Sequence, residues 1–138
     1  MIETADQKAL ADWLSEKTEL TPTKNLRCVG RRGSEGGIIG VVGYDGFTDA
    51  STQIHFAGEG NWLSRGLLWA MFDYPFRVAN VELVFGCIKS SNHRSLRLAR
   101  RLGFKQEHVL RGMFRDCDGV LMSMTRDECR YLRGAQNG

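Results

Sequence analysis

The segment from Lys89 to Phe104 constrains the fold more than any other, because a strand end, a polar loop, a capped helix and a glycine stop follow one another within it. Ser91 or Asn92 is suited to accept a hydrogen bond from the open N–H groups of a first helical turn. Ser95, Leu98, Ala99 and Leu102 then recur at spacings of three and four, which predicts one helix face turned to the core. Gly103 marks the stop: the residue after a helix often takes a left-handed conformation that glycine alone enters cheaply, and Phe104 supplies the apolar contact that follows. Arg94, Arg97 and Arg101 make a second stripe. The run 81–88 before the loop is apolar except at Glu82, as expected of a strand covered on both faces.

The rest of the chain supplies the partners. Leu10, Trp13 and Leu14 predict a short amphipathic helix over 5–17, which Pro22 ends. Runs at 26–31, 37–44 and 51–57, separated by glycine-rich and Asp-rich turns, read as an antiparallel meander. Alternation on the third run puts Ser51, Gln53, His55 and Ala57 on one side and Thr52, Ile54 and Phe56 on the other. Ser64 is suited to cap a nearly all-apolar helix over 67–74 that Pro75 should end or kink. Strands at about 107–114 and 120–125, turning through 116–119, and a short charged tail helix close the chain. This order predicts a single α+β domain over 1–138, its core at about 26–133, with a mixed, twisted, mostly antiparallel sheet flanked by helices.

Composition narrows the function classes. A chain of 138 residues with 42% hydrophobic and 25% charged residues suits one globular domain. No apolar run approaches the ~20 residues of a membrane span, and the polar start lacks a signal-peptide pattern, so a cytoplasmic setting is expected. The four cysteines form no C-x-x-C pair, which favours free thiols over a zinc or disulfide framework; a nucleophilic cysteine with His55, His93 or His108 as base has no local signature. Net charge is +3, yet residues 89–105 carry six basic side chains and no acid, leaving the remainder net negative. Such local basicity favours a discrete anionic ligand or partner. The stripe lacks the interleaved aromatics that stack on bases, which argues against nucleic acid.

Asn92, Ser95, Leu102, Gly103 and Phe104 together resemble the acyl-CoA-binding end of the GNAT superfamily of N-acyltransferases. Phe72 to Phe76 followed by Val81 to Phe85 resembles the helix-to-strand passage that precedes this Asn in members acting on protein N-termini. Residues 110–114, Asp118 and 121–125 resemble their closing hairpin. The resemblance implies a GNAT-type fold with a shortened N-terminal region, about 25 residues standing where members carry a strand and one or two helices.

It also implies acetyl-CoA as cofactor and an amine on a protein or small molecule as acceptor. In the family a loop of small residues at a helix N-terminus presents backbone N–H groups to the pyrophosphate. The corresponding stretch is Gly60 to Gly66, with Ser64, Arg65 and Gly66 as candidate cofactor contacts and Trp62 where a small residue is expected. Asn92 is implied as a pantetheine contact, a role that stands beside its capping one, and Arg97 as a contact to a CoA phosphate, beside the plainer reading of a solvated face. Ala99 occupies the position of the family's acidic Tyr, leaving Ser95 as the acid or as a small packing residue. Imidazole's ordinary titration range spans neutral pH, so His55 is the foremost candidate base, with Glu82 and Glu59 as alternatives.

Residues 61–63, 74–76 and 125–129 further resemble small GNAT-like proteins of short-tailed bacteriophages. That likeness implies either a phage-encoded acetyltransferase of the host cytoplasm or a catalytically degenerate GNAT fold serving as an internal virion or morphogenesis protein, with virion proteins as partners.

Overall fold

The computed structural model describes residues 1–132. Its elements run β1 (Ile2–Glu3), α1 (Gln7–Thr18), β2 (Arg27–Arg32), β3 (Ile38–Asp45), β4 (Ser51–Gly58), α2 (Arg65–Asp73), a π-helical turn (Tyr74–Val78), β5 (Leu83–Lys89), α3 (His93–Leu102), β6 (Lys105–Leu110) and β7 (Gly119–Thr125). The sheet order is β1-β2-β3-β4-β5-β7-β6, and only β4 and β5 are parallel. The expected mixed, mostly antiparallel α+β architecture is therefore what the chain adopts.

Helix α1 covers one face of the first half of the sheet, where Leu10 and Leu14 meet Leu26, Cys28 and Val41. On the other face α2 and α3 enclose the larger core, built around Tyr44, Met71, Phe72, Phe76, Leu96 and Met122. Asp6 caps α1 by accepting from Ala9 N at 3.1 Å, and Ser64 caps α2 by accepting from Leu67 N at 3.1 Å.

Several sequence expectations need correction. Pro75 is expected to end or kink the helix, and α2 does end at Asp73, but the chain continues there as a π-helical turn rather than leaving the helix. A proline has no N–H for the carbonyl four residues back, that of Met71, and the buried Tyr44 hydroxyl donates to this carbonyl instead. The buried face of α3 is Leu96, Ala99 and Leu102, while Ser95 and Leu98 are half-buried. The two-residue β1, paired to β2, was not expected, and β6 begins two residues earlier and ends four earlier than the pattern suggests. Residues 130–132 begin a helical turn; the remainder of the expected tail helix lies outside the described residues.

Candidate active site

The site arises from a short ladder. β4 and β5 pair only through Ser51↔Leu83, Thr52↔Val84 and Gln53↔Phe85. Beyond these, β4 follows β3 through the five pairs from Ile54 to Gly58 and β5 follows β7 through the four from Gly86 to Lys89, so the two strands part. Gly86 sits at the fork, where a Cβ would lie 2.6 Å from the Ile54 carbonyl oxygen. Past the fork, among the described residues, β4 has no ladder pairing with β5 beyond Gln53, so the edge of β4 there faces the opening. The opening is a cavity of about 420 Å³ lined by 54–58 of β4, 86–89 of β5, Asn92, Arg94, Ser95 and Ala99 of the α3 segment, Lys17 to Glu19 at the end of α1, Phe104, Phe114 and Met122.

His55 lies in this wall, and a partner that sequence reading did not identify orients it. His55 Nε2 is 2.8 Å from Asp45 Oδ1, with side-chain exposures of 16% and 8%. Asp45 is opposite Gln53 in the β3–β4 register, which places its carboxylate diagonally across from His55 on the same face. Thr23 Oγ1 donates to Asp45 Oδ2 at 3.3 Å. A carboxylate only accepts, so the bond fixes the proton on Nε2 and leaves Nδ1 as the basic nitrogen. The signal available was Asp45 two residues from the partner of His55 on an adjacent strand, but an Asp before Gly46 reads first as a turn residue.

Asn92 caps α3, its Oδ1 accepting from Ser95 N at 3.1 Å, and Gly103 at φ 109° receives the helix end. The cap and the cavity wall are thus the same residue. The Ser95 hydroxyl makes no hydrogen bond among the described residues, whereas Ala99 is buried and presents only a methyl group to the cavity. Glu82 is not brought here: it precedes β5 at the closed end of the fork and pairs with Arg126 at 3.6 Å. Glu59 is also absent from the lining and pairs with Lys17 at 2.8 Å. Cys87 lines the cavity, but burial raises its thiol, which disfavours the thiolate a nucleophile requires. Cys28, Cys87 and Cys117 are free thiols among the described residues, and burial together with the Asp45 charge pushes Cys28 up to about 11.

A second, more open hollow of about 810 Å³ lies between the 60–64 loop and α3. Among the described residues it is lined by Arg31, Arg94, Arg97, Arg101 and Arg130 and by no acid; Arg94 borders both this hollow and the cavity. Arg94 and Arg97 form no ion pair among the described residues. Five guanidiniums facing one space repel one another unless an anion fills it. Arg31 and Arg130 come from distant parts of the chain: Arg31 donates to the Asn61 carbonyl, and Arg130 to that of Arg101 at 2.6 Å. No local pattern marks them.

Of the loop candidates, Ser64 lines the hollow, while the side chain of Arg65 points into solvent and Gly66 faces Ile2 of β1. Ser64 ends the loop as the cap, so Arg65 and Gly66 belong to the first helical turn and offer only its open N–H groups to the hollow side. Trp62 is 5% exposed and lies across the cross-strand pair Gly40↔Gly58, where a Cβ on Gly40 would come within 2.5 Å of its ring. It is a packing residue in a loop where the family pattern expects a small one.

No protein-family profile matches the chain, and no curated protein does. Solved structures do match over nearly their whole length. A spermidine N-acetyltransferase variant from Vibrio cholerae superposes with a TM-score of 0.76 at 14% identity, covering 98% of this chain and 99% of that one. The same organism's spermidine N-acetyltransferase in complex with CoA and spermine gives 0.75 at 16%, over 96% and 97%. The fold is the GNAT fold. At such identity the likeness extends to the fold alone. Among the described residues no helix is long and apolar enough to cross a membrane.

Proposed function

We propose that the chain is an N-acetyltransferase that passes an acetyl group from acetyl-CoA directly to an amine. The observation that carries this reading is the fork between β4 and β5, which opens a cavity holding His55, Asn92 and Ser95 and joins it, at Arg94, to an acid-free arginine hollow. Acetyl-CoA has matching parts: a polyanionic nucleotide end and a narrow arm ending in a thioester. In this reading Arg97, with Arg31, Arg101 and Arg130, holds the phosphates, aided by Ser64 and the first-turn amides of Arg65 and Gly66. Asn92 guides the arm. A backbone amide of β4 takes the thioester oxygen as the amine attacks. His55, oriented by Asp45, removes the amine proton through Nδ1, and the Ser95 hydroxyl donates to the departing thiolate. Glu82 has no part in this scheme.

Spermine in the neighbouring structure makes a small-molecule amine a natural first acceptor to assay, and an amine on a protein is the other. The test is thermal-shift or calorimetric titration with acetyl-CoA. Saturable stabilisation that weakens at least tenfold in Arg97→Ala and in Asn92→Ala is expected; none at millimolar cofactor would defeat the reading.

Trp62 seated in the loop and a methyl group at Ala99 favour a second reading, a GNAT fold without turnover. In that case the phage likeness of 61–63 and 74–76 suggests an internal virion or morphogenesis protein, and loss of the chain would change particle composition even with His55 intact. Normal particles made without it would remove that role.

A further inference from the structure

The cavity contains an amine of its own. Lys89 ends β5, the strand that forms one wall of the fork, and its side chain is 26% exposed. Its ammonium bridges α1 and the 111–118 loop: Nζ lies 3.2 Å from Glu19 Oε2 at the end of α1, 3.5 Å from Asp116 Oδ1 in that loop, and 5.3 Å from the centroid of the Phe114 ring. Glu19, Lys89 and Phe114 all line the cavity. Lys17, the other amine lining it, is 41% exposed and is held on the α1 side by Glu59 at 2.8 Å and over Trp13.

The tether on Lys89 is weak. Glu19 and Asp116 are 69% and 70% exposed, and ion pairs with such solvent-screened partners hold a lysine only loosely. A lysine stem has four rotatable carbons, so release of Nζ leaves it free to sweep the adjoining wall. While tethered, its hydrogen bond to Glu19 and the nearby carboxylates raise its pKa above the ordinary lysine range and keep it an ammonium. It becomes a nucleophile only after leaving them for a site with a base, and His55 lies in the same cavity.

We propose that Lys89 is a self-acetylation site, with acetyl-CoA as the donor, a step that rests on the acetyltransferase reading above. His55 takes a proton from Nζ, and the nitrogen lone pair attacks the thioester carbonyl carbon. The N–C bond forms, the C–S bond breaks, and the nitrogen gives up a second proton that the departing thiolate takes up to leave as CoA, while His55 passes the first to solvent. The product amide is neutral, so it no longer holds Glu19 and Asp116 together, and this side of the cavity opens to an external acceptor. Modification of Lys89 thereby regulates access to the site.

The test incubates the full chain with acetyl-CoA at neutral pH and follows each lysine by peptide mass spectrometry, with thermal shift in the same samples. Exposed Lys8 and Lys24 report direct chemical acetylation by the thioester. Lys89 is expected to acquire acetyl at least tenfold faster than they do, and His55→Gln to bring it down to their rate. Acetyl-CoA stabilising the protein while Lys89 is acetylated no faster than Lys8 and Lys24 would overturn the inference and leave the acetyltransferase reading standing. Absence of any stabilisation would remove both. Fast labelling of Lys89 that survives in His55→Gln would also overturn it as written, since the amine would then be reacting without the proposed base.

Discussion

Trp62 decides whether the 60–64 stretch is a packing element or a phosphate loop, and a double-mutant cycle with Gly58→Ala measures it. The ring lies on the facing glycines of β3 and β4, so a methyl group at position 58 would enter the space the ring occupies. Neither partner can yield easily: one is sheet backbone, the other a rigid ring that also stacks near Phe56 with centroids 6.1 Å apart. Overpacking of this kind costs ~1–3 kcal/mol. Trp62→Ala removes a side chain that is 5% exposed and should cost ~3–5 kcal/mol. Independent sites would sum to ~4–8 kcal/mol. In the double variant, however, the added methyl group at position 58 meets no ring and fills part of the gap the ring leaves. The double variant should therefore be no less stable than Trp62→Ala alone, a coupling of ~1–3 kcal/mol against additivity. Chemical denaturation of the four proteins reads these values directly. Additivity within ~0.5 kcal/mol would show that the ring does not rest on Gly58 and would free Trp62 to move for a phosphate.

Tyr44→Phe removes the donor to the Met71 carbonyl that Pro75 leaves open, and the buried orphan should cost ~1–3 kcal/mol by denaturant unfolding; Pro75→Ala, by restoring an N–H at that position, should reduce the loss in the double variant. Asp45→Asn should leave acetyl-CoA binding unchanged while lowering turnover at least tenfold, because an amide no longer holds His55 in one tautomer; equal turnover would remove Asp45 from the scheme. Glu128, bonded by Lys105 and by the Thr125 N–H and hydroxyl, has its carboxyl lowered from 4.5 to about 2. A folded pKa below the unfolded one stabilises at pH above the unfolded value, so the advantage of the wild type over Glu128→Gln should be complete above about pH 4.5 and shrink as pH falls toward 2. A melting-temperature gap constant across that window would contradict the assignment.

What could be read in the sequence was local, and what could not was set by pairing at a distance. The Asn92 cap, the Gly103 stop and the Ser64 cap each depend on a few consecutive residues, and each is where the pattern puts it. On α3 Ala99 and Leu102 are buried as the spacing expects, while Leu96 takes the buried place expected of Ser95; Phe104 packs against Phe72 at 6.0 Å between ring centroids. β1 was invisible because two residues carry no periodicity; only the edge of β2 makes them a strand. The fork depends on how far β4 and β5 each follow their other partners, a competition among three ladders. Arg31, Arg130 and Asp45 reach the site by register and by chain return, so their role appears only when the sheet is assembled. Glu82, an alternative base on sequence grounds, lies at the end where β4 and β5 still pair.

The two halves of the cleft respond differently to this chain's departures from the family pattern. At the anionic end, small residues that would let backbone amides approach a phosphate give way to Trp62, and guanidiniums from β2, α3 and the chain's return face the same space. Side-chain charges of that kind act over a Debye length of about 8–10 Å at physiological salt and lose strength as salt rises, unlike short backbone contacts at a helix start. Binding of a polyanion there should therefore be steeply salt-dependent and should tolerate loss of any one arginine better than loss of two. At the end proposed to take the amine, Ala99 offers only a methyl group, and the Ser95 hydroxyl, a weak acid, is the donor the proposed reaction has there. In the proposed reaction thiolate departure, not cofactor capture, is then the step expected to limit turnover, and Ala99→Tyr is the substitution that probes it. Its ring would enter the cavity beside Ser95. If protonation of the leaving group limits the reaction, turnover rises with acetyl-CoA affinity unchanged; if the ring merely fills the arm's path, affinity falls and turnover with it, and the reasoning fails.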